Sequence, residues 1–225
     1  MAVTENLRQV LTQVQQLAGG RPVTVLAVSK GQSTAIIREA WAVGQRAFGE
    51  SYVQEALEKQ AQLQGLALEW HFIGPVQSNK TGPIARHFQW VHGVTRLKIA
   101  GRLSEARQEA GLPPLNVCVQ VNLSGESSKA GVVPAEVATL VAAVTGLPGL
   151  RLRGLMTLPE ATPDIALQHQ RFATLRRLQT TLNEQGYALD TLSMGMSQDF
   201  ASAIAEGSTI VRIGTTIFGE RQKTS

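Results

Sequence analysis

The sequence predicts an α/β chain folded as a single (β/α)8 TIM barrel with an extra N-terminal helix. Three observations predict it. Eight short apolar runs of strand character alternate with helix-patterned segments over 225 residues, and such alternation calls for a parallel sheet with right-handed crossovers. Eight units use up the whole length, since α/β barrels of roughly 250 residues form one domain, so residues 1–225 read as one domain. The polar residues that interrupt the pattern gather where the strands end. The alternative, an open doubly wound sheet, lacks a G-x-G-x-x-G after the first strand.

The elements follow in order. Leu7, Val10, Leu11, Val14 and Leu17 recur at helical spacing and stop at Gly19-Gly20 and Pro22. The run 23–29 is apolar throughout its centre, as a strand covered on both faces must be. A helix from Ser33 through Val43 stops at Gly44. The strand 46–50 precedes a helix over 51–64, and the strand 69–74 precedes a helix over 78–88 broken at Gly82-Pro83. The strand 89–94 leads to a helix over 95–110, stopped by Gly111 and Pro113-Pro114. LNVCVQVNL at 115–123 is the longest strand, and a polar loop separates it from a helix begun by Pro134, a favoured first-turn residue. The sixth strand is 150–158. Thr162-Pro163-Asp164 opens the next helix, whose buried side is Phe172, Leu175, Leu178 and Leu182. Strands 191–195 and 209–214 flank a short helix from Ser197 to Glu206.

Composition bounds the function. The chain is 43% hydrophobic and 17% charged, an ordinary globular balance with material for one sizeable core. Glu5 and Arg8 inside the first amphipathic pattern argue against a signal peptide, and no apolar run approaches the ~20 residues that span a bilayer. A lone Cys118 in an apolar strand reads as a small core residue and fits a cytoplasmic protein. The formal charge is +4, but Lys and Arg are interleaved with acids and form no stripe with aromatics, so nucleic acid is not an expected partner. His87, His92 and His169 show no metal-ligand spacing. Trp41, Trp70 and Trp90 are expected to pack between helices and barrel. No apolar helix face is left over, so a monomer is expected.

Chemistry in a barrel gathers at the C-terminal strand ends. Reading them in order gives Lys30, Glu50-Ser51, His71 with Gly74, His92, Asn122, Met156, Ser193, and Arg212 with Gly214-Thr215. Alone, Lys30 is either a surface ammonium on an apolar stem or a reactive amine. His71 either reaches the pocket or is hydrogen-bonded in the barrel interior. SMGMS, with Ser193, Gly195 and Ser197, and RIGTT, with Gly214 and Thr215, put small residues and hydroxyls ahead of helix starts. Exposed backbone amides there bind phosphate, and barrels commonly build a phosphate site after strands 7 and 8. A phosphate there and an amine at the end of strand 1 face each other across the barrel closure. That arrangement suits pyridoxal 5′-phosphate, its phosphate on backbone amides and its aldehyde joined to Lys30 as a Schiff base. Arg212 would lie near the pyridine nitrogen, where a group that keeps its proton leaves the ring a weak electron sink.

AVSKGQ around Lys30, FGESYVQEALEK at 48–59, WHFIGPVQSNK at 70–80, VNLSGESSKAG at 121–131, LRGLMTLPE at 152–160, LSMGMSQDFASAI at 192–204 and GSTIVRIGTTIFGER at 207–221 resemble the pyridoxal phosphate homeostasis proteins. The resemblance runs through almost the whole chain. It implies a fold-type III barrel similar to the barrel domain of alanine racemase, with Lys30 as the Schiff-base lysine and Arg212 facing the pyridine nitrogen. It also implies Ser193, Gly214 and Thr215 in the phosphate cradle, and Met156 against the ring or pocket wall. Members of the family hold pyridoxal phosphate and amino-acid pools in balance without robust enzymatic activity. Where the family usually reads FGEN this chain has Ser51, a shorter side chain that needs a water to reach as far. Lys129 is a candidate guide for an anionic cofactor.

The expected function is therefore that of a pyridoxal phosphate-binding homeostasis protein. The alternative is a single-domain racemase, which needs a second acid/base opposite Lys30. The tyrosines are Tyr52, after strand 2, and Tyr187, near a helix end remote from the rim. A third reading, a cofactor-sensing module acting through regulatory or enzyme partners, leaves no mark in the sequence.

Overall fold

The structure, a computed structural model, describes residues 2–124 and 130–219. Eight parallel strands close into a barrel in chain order, with β1 (Thr24–Val28) hydrogen-bonded to both β2 (Ala47–Glu50) and β8 (Ile210–Ile213). Between them run β3 (Glu69–Phe72), β4 (Trp90–Val94), β5 (Leu115–Val121), β6 (Leu150–Thr157) and β7 (Thr191–Met196). Helix α1 (Ala2–Ala18) precedes the barrel, and α2 (Thr34–Ala42), α3 (Val53–Gln62), α4 (Thr81–His87), α5 (Leu97–Glu109), α6 (Val137–Thr145), α7 (Ile165–Glu184) and α8 (Phe200–Ala205) connect successive strands. A one-turn helix, α9 (Thr215–Phe218), follows the last strand. No helix among the described residues is long and apolar enough to cross a membrane.

Successive side chains of a strand point to opposite faces, which in a barrel separates two apolar cores. Val25 and Ala27 of β1, Phe48 of β2, Phe72 of β3 and Val91 of β4 face outward. They pack with Leu7, Ile37, Ile84, Leu103 and Phe172 of the surrounding helices. The alternate residues Leu26, Ala47, Trp90, Cys118, Met156 and Ile210 fill the barrel interior. Occupation of both faces is why the strands read as unbroken apolar runs. Each fully buried Leu, Ile or Phe stabilises by about 1.5–3 kcal/mol. Trp90 departs from expectation: it sits inside the barrel, because it shares a face with His92 two residues on.

Helix α1 lies against α2, α8 and α9, across the seam where β8 meets β1. Its Asn6 side chain donates to the Ile217 carbonyl at 3.2 Å, and the Arg21 guanidinium beyond its end donates to the Ile204 carbonyl at 2.6 Å. The helix buries Val3, Leu7, Val10, Val14 and Ala18 and leaves the predicted Leu11 and Leu17 exposed. Ser33 and Asp164 cap α2 and α7 by accepting from the amides of Ile36 and Leu167.

The break in the helix expected over 78–88 falls earlier than Gly82-Pro83. A 3-10 turn covers Ser78–Lys80, and Pro83 then occupies the first turn of α4. A proline is tolerated there because first-turn amides have no intrahelical partner to lose.

Candidate functional site

A cavity of about 270 Å3 opens at the C-terminal mouth of the barrel. The alternation that fills the interior also aims the lining. On β1, Leu26 is interior, so Val28 and Lys30 point into the mouth. Ser51 and Ile73 follow directly after β2 and β3, Arg212 comes from β8, and Gly214 follows its end. Leu158 and Thr162 from the loop after β6, Met196 at the end of β7, and Ser197 and Asp199 from the turn after it complete the wall, with Thr215 beside Gly214.

Six of the ten residues expected at a cofactor site line this cavity: Lys30, Ser51, Ser197, Arg212, Gly214 and Thr215. The other four lie outside the lining. Ser193 is buried one layer below, where its hydroxyl accepts from Arg212. Met156 packs in the barrel interior with Leu26 and Cys118. His71 is buried in the interior. Gly195 shapes the turn instead: its φ is +95°, and a Cβ there would come within 2.6 Å of Ala203 Cβ. A residue with a side chain is strained at that φ, so glycine is what lets β7 turn Met196 and Ser197 into the mouth. Lys129 lies outside the described residues.

Arg212 forms the floor. Its guanidinium is buried and donates to Ser193 Oγ at 2.7 Å and to the Thr157 carbonyl at 2.8 Å. Burial pushes its pKa down to about 10, opposed by the nearby Asp199 carboxylate. The group is therefore still cationic at neutral pH, a donor that keeps its protons. Asp199 accepts from the Met196 amide at 2.6 Å, and burial raises its pKa against the pull of that amide and of Arg212. The thiol of Cys118 is pushed by burial up to about 12, which keeps it protonated and inert.

Beyond Gly214, the amides of Ile217 and Phe218 already bond to the Gly214 carbonyl. The amides of Thr215 and Thr216 precede them in the first turn, where helical N–H groups have no intrahelical acceptor. Together with the hydroxyls of Ser197 and Thr215, this rim offers donors to an anion.

Beside Lys30 a buried ionic cluster braces the end of β1. Lys59 of α3 donates to Glu50 Oε1 at 2.8 Å, to the Ser29 carbonyl at 2.7 Å and to Glu55. The Ser29 hydroxyl donates to the same Glu50 oxygen at 2.6 Å, and the Gly31 amide donates to Glu55. Both neighbours of Lys30 are thus tied to α3. Glu50 is fully buried, its second oxygen has no partner among the described residues, and burial raises its pKa against the attraction of Lys59. The sequence reading passed over Lys59 and Glu55. Their signal was the i, i+4 acid–lysine spacing on a helix that begins beside the site. It missed Asp199 and Ile73 as well, and period-2 counting from His71 would have found Ile73.

His71 and His92 occupy the middle of the barrel. His92 Nδ1 lies 2.7 Å from Ser193 Oγ, His92 Nε2 lies 2.9 Å from His71 Nδ1, and His71 Nε2 lies 2.7 Å from Glu69 Oε1. The Trp90 ring stacks on His71 at 5.3 Å between centroids, and the Arg153 guanidinium covers Trp90 at 4.8 Å. Burial lowers the pKa of His71 against the opposing Glu69. It lowers that of His92 further, helped by the Arg212 charge. Both rings are therefore neutral in the folded chain.

This neutrality predicts an acid-sensitive fold. Below the ordinary imidazole value of 6.5 the unfolded chain takes up protons that the folded chain refuses. The stabilisation is fully present above that pH and declines as pH falls toward the folded values, by up to ~1.4 kcal/mol per pH unit for each ring. The raised carboxyls of Glu50 and Asp199 act in the opposite sense, near the carboxylate range. Urea midpoints should be lower at pH 5.5 than at pH 7, and His92→Asn should reduce the difference.

Known proteins bear on this geometry. The alanine racemase N-terminal domain family matches residues 3–222. The chain is 59% identical over 224 residues to the pyridoxal phosphate homeostasis protein of Pseudomonas aeruginosa, covering 97% of this chain and 96% of that one. It is 48% identical over 227 residues to the protein of the same name from Escherichia coli K12, covering 97% of each. Among solved structures, PipY of Synechococcus elongatus PCC7942 with PLP bound superposes with a TM-score of 0.88 at 38% identity, over 96% of this chain and 100% of that one. An alanine racemase from Corynebacterium glutamicum matches with a TM-score of 0.74 at 19% identity, over 98% of this chain and 60% of that one. That last likeness is one of fold.

Proposed function

The chain belongs to the alanine racemase N-terminal domain family and, within it, to the pyridoxal phosphate homeostasis proteins. From that premise we propose that it binds pyridoxal 5′-phosphate in the mouth cavity and serves pyridoxal phosphate and amino-acid homeostasis without robust catalysis.

One observation carries this reading: a lysine, a buried guanidinium and two hydroxyl-bearing loops line the same cavity of about 270 Å3. The residues fit the group. Val28, Ile73, Leu158 and Met196 give apolar surface for a flat ring, and Ser197, Gly214 and Thr215 give donors for a phosphate. Lys30 supplies a primary amine, and Arg212 a donor for a ring acceptor. When bound, the group supplies an aldehyde that condenses with an amine and a ring that withdraws electrons to the degree that its nitrogen is protonated.

The residues then divide the work. Lys30 would hold the cofactor through its amine, and the Ser29 and Gly31 contacts would keep that lysine aimed at the mouth. Ser197, Gly214 and Thr215 orient the phosphate end. Arg212 would donate to the ring acceptor without yielding its proton, which would leave that ring a weak electron sink. No tyrosine lines the cavity among the described residues; Tyr52 is exposed and Tyr187 packs against the outer core. Racemisation, which needs an acid/base on each face of the substrate carbon, is correspondingly disfavoured.

Absorbance of the purified protein tests the reading. Added pyridoxal 5′-phosphate should generate the near-visible band of the lysine-linked cofactor, and borohydride should convert it to a stable mass increment. Absence of both would refute cofactor binding. Rapid α-deuteration of L-alanine in heavy water, with loss of optical purity, would favour the racemase instead.

A further inference from the structure

The interior of a (β/α)8 barrel is ordinarily filled by branched apolar side chains. Here a line of polar groups crosses it from the cavity floor to the opposite face. Arg212 on β8 donates to Ser193 on β7 at 2.7 Å, and Ser193 lies 2.7 Å from His92 Nδ1 on β4. His92 Nε2 is 2.9 Å from His71 Nδ1 on β3, and His71 Nε2 is 2.7 Å from the Glu69 carboxylate two residues earlier. Ser193, His71 and His92 are buried, whereas the Glu69 side chain is 49% exposed at the N-terminal face of the barrel.

With both rings neutral at pH 7, as their lowered pKa values make them, only one assignment of hydrogens satisfies every link. A carboxylate accepts and does not donate, and Glu69 is held ionised below the usual carboxylate range, first by its hydrogen bond from His71 and then by the Trp90 indole and Arg153. His71 must therefore carry its proton on Nε2. Because the ring is neutral, its Nδ1 accepts, so His92 donates from Nε2 and accepts at Nδ1. The Ser193 hydroxyl must then donate to His92, leaving its lone pairs for Arg212. Every donor points from Arg212 toward Glu69. The reverse order would set an imidazole lone pair against a carboxylate.

We propose that Glu69, His71, His92 and Ser193 form a polarised positioning chain that orients the Arg212 guanidinium at the cavity floor. Glu69 is its anchor, although it lies on the far face of the barrel. The geometry explains why polar residues occupy an interior that apolar ones could fill: a guanidinium held on one side by Ser193 and by the Thr157 carbonyl presents its remaining donors toward the cavity in a single orientation. The effect on cofactor affinity rests on the cofactor reading above; the hydrogen assignment does not.

The test uses the full chain. Nitrogen-15 spectra without cofactor should show both His71 and His92 protonated on Nε2 at neutral pH. Glu69→Ala removes the anchor from a half-exposed position and should leave the fold intact. It should nevertheless move the ring signals of His92 and the guanidinium signals of Arg212, neither of which touches residue 69. Glu69→Gln, which keeps an acceptor, should restore them. Affinity for pyridoxal 5′-phosphate should fall about fivefold in Glu69→Ala, the worth of one net hydrogen bond, and recover in Glu69→Gln. An Nδ1-protonated ring at either histidine would overturn the proposal. So would Arg212 signals indifferent to Glu69→Ala, and so would unchanged affinity in a variant that binds the cofactor. A protein that binds no pyridoxal phosphate would refute the proposed function while the spectra still decided the chain.

Discussion

Lys30→Ala is expected to abolish the borohydride-reducible adduct with pyridoxal 5′-phosphate altogether. Lys30 is the one lysine among the described residues that lines the cavity, so no neighbouring amine stands ready to replace it. Noncovalent affinity should persist in part, because Ser197, Gly214, Thr215 and Arg212 are untouched. Stability should change by no more than about 1 kcal/mol, as is usual for a partly buried position outside the core. Intact-mass measurement after reduction reads the adduct directly. An adduct that survives the substitution would put the covalent link on another amine and separate this cavity from the cofactor.

The second large effect is structural. Lys59→Met should destabilise the chain by about 3–5 kcal/mol, because it leaves the Glu50 carboxyl buried without its cation. Lys59 is 6% exposed and holds Glu50, Glu55 and the Ser29 carbonyl at once, so no solvent route compensates for its loss. Pairing it with Glu50→Gln removes the buried charge and should recover at least half of the lost stability in denaturant titrations. The single variant should also slow formation of the lysine-linked cofactor, since Ser29 and Gly31 on either side of Lys30 are both tied to this cluster. If the single and double variants proved equally unstable, the uncompensated charge would not be the cause.

These predictions rest on features of unequal legibility. The eight strands, their order and their parallel sense could be read from the chain, because strands covered on both faces must be apolar at every position and the helices between them announce themselves by spacing and by glycine stops. The strand ends could be read for the same reason: Lys30, Ser51, Arg212 and Gly214 break an apolar pattern. The one-turn helix after β8 was not legible, being too short to carry a period. Nor was the break at Thr81, which depends on first-turn geometry rather than on the Gly-Pro pair itself.

Within the site, the sequence could place residues at the mouth but could not rank their depth. Met156 and Ser193 sit at strand positions that look equivalent to lining ones, yet both lie below the cavity, because the bulge between Ser193 and Met196 and the register shift between Val117 and Cys118 alter which layer each position reaches. Trp90 and His92 were legible as apolar and polar, but not as interior, since a strand covered on both faces conceals which face is which.

By itself, then, the sequence determined a barrel with an amine at one strand end and glycine- and hydroxyl-rich loops after the last two strands, and it tied the chain to its family by motifs along almost its whole length. The tertiary structure alone decided which polar groups meet. The links from Arg212 to Ser193 and from Ser193 to His92 join residues 19 and 101 positions apart. The contacts of Lys59 with Ser29 and Glu50 join a helix to two strand ends. Pairing across a closed barrel is set by register and shear, which bring distant strands face to face. Local sequence spacing carries no record of which side chains those strands will share.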